Sequence, residues 1–88
     1  MKELEEVKRQ SLSTKNMRTL TLHNDDVNTF DHVIDCLVKY CDHDALQAEQ
    51  CSMIVHYNGK CDVKRGDLKK LIGINKVLIN QGLTTSIN

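Results

Sequence analysis

Four groups of residues in this 88-residue chain have side chains that can do chemistry. Cys36, Cys41, His43, Cys51, His56 and Cys61 set six potential metal ligands within 26 positions. A structural zinc site pairs its cysteines roughly two to four residues apart on tight turns. Here four, nine and nine residues separate successive cysteines, and most fall at helical or strand positions, so they read as small packing residues. Cys51 and His56 are five apart, which on a helix puts them about 140° apart around the axis and out of each other's reach. No glycine-rich elbow accompanies either, so nucleophilic catalysis is not expected. Arg65-Gly66-Asp67 reads as a turn followed by a helix cap. Asn24-Asp25-Asp26 is different in kind, because two adjacent carboxylates and an amide form an acceptor-rich pocket for a cation. A calcium loop needs further oxygen ligands at alternate positions and a closing glutamate, which are absent, so the cation that fits is an ammonium group.

The elements that must position these residues follow from periodicity. Thr19 to His23 alternates polar and apolar and reads as a half-buried strand, stopped by the Asn-Asp-Asp turn. Asn28 or Thr29 caps a helix whose stripe is Phe30, Val33, Ile34, Leu37, Val38 and Cys41. After a break at Cys41 to His43, Asp44 and Gln47 open a second helix that runs to about Tyr57. Ala45, Ala48, Cys51 or Ser52, and Val55 form its inward face. Asn58-Gly59 ends it with glycine in the left-handed position. Lys60 to Lys64 reads as a short strand. Asp67 caps a third helix with the stripe Leu68, Leu71, Ile72, Leu78 and Ile79, and Gln81-Gly82 ends that helix. Leu83 to Ile87 is the last strand. The expected fold is α+β, a β-α-α-β-α-β two-layer domain with a three-stranded antiparallel sheet packed against three helices.

Composition narrows the function. Lysine plus arginine equals aspartate plus glutamate at 12 each, and the only aromatics are Phe30, Tyr40 and Tyr57. That leaves neither excess basic charge for phosphates nor a stacking platform for bases, which argues against nucleic-acid binding. Residues 1–18 carry five basic and three acidic side chains and read as a flexible N-terminal arm of net charge +2, while 19–88 form the domain with net charge −2. No apolar run approaches the roughly 20 residues that span a bilayer. The charged start MKELEEVKRQ lacks an export signal's apolar core, so a cytoplasmic protein with reduced thiols is expected.

Two segments together carry a resemblance. Leu22-His23-Asn24-Asp25-Asp26 before a helix, and Val55-His56-Tyr57-Asn58-Gly59-Lys60 at the end of the next, resemble the ClpS family, adaptors of the ATP-dependent Clp protease. The resemblance covers residues 19–88. It implies a non-enzymatic adaptor that binds proteins with a free, bulky, apolar N-terminal residue (an N-degron) and hands them to the AAA+ Clp unfoldase. It also implies that Asn24, Asp25 and His56 hold the α-amino group. By the same resemblance Asn28, Phe30, Val33, Ser52, Val55 and Leu83 form the side-chain pocket, and Asp67 belongs to the unfoldase-docking face. No cofactor or metal is implied, and a monomer is expected. The chain departs from the family where Asn28-Thr29-Phe30 replaces a common Thr-Pro-Met and where Ser52 replaces a larger apolar residue. Its strand over Lys60–Lys64 is also short, and the departures leave open the ranking of Leu, Phe, Tyr and Trp degrons. The alternative reading is a small cytoplasmic metal-binding or redox protein using Cys36, Cys41, Cys51 and Cys61.

Overall fold

The computed structural model describes residues 17–88. Its elements are β1 (Met17–His23), α1 (Phe30–Cys41), α2 (Ala45–Asn58), β2 (Lys60–Asp67), α3 (Leu68–Asn80) and β3 (Thr84–Ile87). The sheet order is β2-β1-β3, and both pairings are antiparallel. Alternation along β1 sends Leu20 and Leu22 to the same face. There they are buried with Cys36, Leu37 and Cys41 of α1, Ala48 and Val55 of α2, and Leu71 and Leu78 of α3. The α+β two-layer reading therefore holds.

Each helix is started by a side chain that satisfies one of its orphan N–H groups. Thr29 accepts from the N–H of His32, Asp44 from Gln47 and Asp67 from Lys70. Gly59 closes α2 at φ 92°, where a Cβ would be strained, and its N–H bonds to the Val55 carbonyl.

Four details differ from the sequence reading. β1 begins at Met17, so the boundary expected at 19 moves two residues earlier; residues 1–16 of the expected arm lie outside the described residues. β2 runs unbroken through Arg65-Gly66 to Asp67 instead of turning there, because Met17 and Arg18 continue the ladder opposite Asp67 and Gly66. The strand is thus eight residues long rather than short. Its pairing slips between Leu20 and Thr21, leaving Val63 as an extra residue, a bulge whose carbonyl accepts from Nε2 of buried His43 at 2.6 Å. On α3 the face turned to the core is Leu71, Ile74, Asn75 and Leu78, while Leu68, Ile72 and Ile79 face outward, as do Val38 of α1 and Ala45 of α2. Asn75 reaches the core side because its amide oxygen accepts from the Thr85 hydroxyl of β3.

Leu37 is fully buried at the centre of this packing. Leu37→Ala is expected to cost about 2–5 kcal/mol, through lost burial and the cavity left behind. The shift of the urea midpoint at constant m-value measures it.

Candidate functional site

The segment after β1 is fastened at both sides. The Asn24 N–H donates to the Gly59 carbonyl at 2.8 Å, which seats the Asn-Asp-Asp loop against the C-terminal end of α2. Within the loop, Asp25 Oδ1 accepts from the N–H groups of Val27 at 3.0 Å and Asn28 at 2.9 Å. Its Oδ2 accepts from the Asn28 amide at 2.8 Å. Burial pushes the Asp25 carboxyl up, but these bonds from Asn28 and Val27, with one from the Thr84 hydroxyl, outweigh it and hold it below its ordinary value. Asp25 is thus a fixed anion at neutral pH.

Beside this loop opens a cleft of about 230 Å³ between the end of β1, the start of α1 and the last turns of α2. A cavity of about 150 Å³ takes a benzene ring, so the space suits one large side chain. Asn24, Asp25 and His56 stand on its wall together with Asn28, Phe30, Val33, Ser52 and Val55. Leu83 does not: it is 4% exposed and belongs to the core under the turn before β3. Leu22 and His23 also line the cleft, and the signal that finds them is that they end β1 directly before the Asn-Asp-Asp loop. Asp67 lies away from the cleft as the exposed cap of α3.

The wall divides by chemistry. Phe30, Val33 and Val55 give an apolar pouch. Phe30 is the first residue of α1 and stays 42% exposed, at the rim. Ser52 is buried, and its hydroxyl already donates to the Ala48 carbonyl at 2.7 Å, so it does not ask a ligand for a partner. At the polar end, the side chains of Asn24 and His56 accept and donate no hydrogen bond among the described residues, although His56 rests edge-on against the Tyr57 ring. The site therefore offers a carboxylate charge and open acceptors beside an apolar pouch.

The four cysteines are free, with Cys36 and Cys41 buried and Cys51 and Cys61 half-buried. Burial pushes the Cys36 thiol up and takes Cys41 to about 11. Burial and the neighbouring Cys51 thiol push Cys61 to about 12. Protonated thiols are poor ligands and nucleophiles. Among the described residues no three His, Cys, Asp or Glu side chains converge as a metal site would require.

A family model described as ATP-dependent Clp protease adaptor protein ClpS matches residues 13–80. That is well over half of the chain, and the chain belongs to the ClpS family. Among solved structures, it is similar to Agrobacterium tumefaciens ClpS2 bound to L-phenylalaninamide, with a TM-score of 0.66 and 17% identity over 83% of this chain and 98% of that one. At that identity the likeness is one of fold. No helix among the described residues is long and apolar enough to cross a membrane.

Two measurements probe this chemistry. A carboxyl held below its unfolded value stabilises the fold above that unfolded value, and the stabilisation is lost as pH falls through the folded one. The melting temperature of the native chain should therefore exceed that of Asp25→Asn most at pH 7, and the gap should close below about pH 4. Iodoacetamide at pH 7.5 should alkylate Cys41 far more slowly than free cysteine, as followed by peptide mass.

Proposed function

We propose that this chain is an N-degron adaptor: it binds the free amino end of proteins whose first residue is bulky and apolar and delivers them to the AAA+ unfoldase of the Clp protease. The observation that carries the reading is the division of the cleft. An ammonium group has three donors and a full charge, so a site that strips its water must supply acceptors and a counter-charge. Asn24 and His56 offer acceptors not engaged by the protein, and Asp25 supplies the charge. The oxygens of Asp25 are largely occupied by its own loop. Its part is thus chiefly electrostatic. The adjoining pouch takes the side chain, and L-phenylalaninamide, the ligand of the similar ClpS2, has the same two parts, a free amine and an apolar ring.

The role needs no catalytic group, cofactor or metal, and we assign the protein to the cytoplasm as a monomer. Asp67, exposed between β2 and α3, is proposed as part of the surface that meets the unfoldase, and residues 1–16 as the arm that engages it. The family membership favours this reading over a metal or redox role for the cysteines.

A charge-assisted hydrogen bond contributes about 1.5–3 kcal/mol and burial of a Leu or Phe side chain about 1.5–3 kcal/mol. After the entropy of association, this leaves affinity on the order of −8 kcal/mol, or micromolar. Fluorescence anisotropy with a peptide beginning with Leu or Phe should show such binding. Its N-acetylated twin, without the charge, should not bind, and equal binding of the two refutes the proposal. Asn24→Ala and His56→Ala should each weaken the free peptide roughly tenfold.

A further inference from the structure

Asn28 stands on the cleft wall, yet its amide nitrogen is fully engaged within the protein. Nδ2 lies 2.8 Å from Asp25 Oδ2 and 2.8 Å from the Gly82 carbonyl oxygen. One NH₂ group therefore spends both protons, one on the carboxylate and one on the turn between α3 and β3. A hydroxyl, with a single proton, cannot serve both. The turn is built to receive this contact. Gly82 sits at φ +89°, a conformation that favours glycine, and this orients its carbonyl within 2.8 Å of Asn28 Nδ2. His32, on the first turn of α1, bonds through Nε2 to the neighbouring Gln81 carbonyl at 2.8 Å. Two side chains thus tie the Gln81-Gly82 turn to the segment that follows the acidic loop.

We propose that Asn28 is a positioning residue for the amine site: it braces the Asp25 carboxylate against the Gly82 turn and so fixes where the negative charge stands in the cleft. The inference rests on the reading of the cleft as an amino-terminus site. Asn28 acts through Asp25 and touches no substrate atom. Without the brace, Asp25 keeps only the N–H bonds to Oδ1 and the Thr84 contact, and its charge is less well stabilised.

The test uses the whole chain and two readouts. Asp25 shares the cleft with His23 and His56, and Asp26 follows it in the loop, so its titration is read directly from its own carboxyl carbon by NMR. In Asn28→Ala, measured without ligand, the Asp25 titration should move to higher pH. The affinity for a Leu-initiated peptide at pH 7 should fall roughly tenfold. A change in affinity with the Asp25 titration unmoved overturns the proposal, because Asn28 would then act as wall and not as brace. A moved titration with unchanged affinity overturns it equally. If Asn28→Ala does not fold, Asn28→Ser gives the same two readouts, since its short hydroxyl cannot reach both acceptors. Failure of the native chain to distinguish free from acetylated peptide strikes at the adaptor reading instead, while the titration still decides whether Asn28 holds Asp25.

Discussion

The bond from the Asn24 N–H to the Gly59 carbonyl joins two stretches of sequence that are otherwise 35 residues apart. One is the loop that carries the charge, and the other is the end of the helix that carries His56. The register His23 opposite Lys60 continues the same junction into the sheet. Gly59 makes it possible: only a residue at ease with positive φ can end α2 and turn straight into β2 while leaving its carbonyl aimed at Asn24. The cleft exists because these two ends are held side by side, with Val33 and Phe30 of α1 closing the third side.

Much of this was readable from residue order. The Asn-Gly at 58–59, the cap at Asp44 and the helix from Phe30 to Cys41 each have a local cause, and each lies where the structure puts it. That the two motifs share one site came instead from their resemblance to the ClpS family, since a full helix separates them along the chain. What escaped depended on partners far away in sequence. Arg65-Gly66 has the composition of a turn, and only pairing with Met17 and Arg18 keeps it in the strand. α3 has apolar residues around more than half its circumference, so its stripe was ambiguous, and its core face includes the polar Asn75, matched by Thr85. Leu83 was assigned to the pocket by resemblance, but the turn after α3 rolls it into the core.

The cleft also shows how a small domain separates two demands. A cation needs acceptors that water would otherwise occupy, whereas an apolar side chain needs a surface that asks for none. The protein answers by saturating Ser52 within its own helix and leaving Asn24 and His56 open. The charge between them is rigid: Asp25 accepts from its own backbone neighbours, so the loop folds around it as around a built-in ion.

The Asn28–Gly82 contact has a consequence for the order in which the molecule is assembled. The groups that line the cleft lie between residues 22 and 56, within about one and a half helical hairpins of continuous chain. The Gly82 carbonyl that anchors Asn28 lies 54 residues further along, and β3 beyond it closes the sheet on the other side of β1. Contacts of such separation are made late, because a long loop must close before they form. Until β3 docks, Asn28 therefore holds Asp25 from within the loop alone, and the anchor to the far turn is the last piece to arrive.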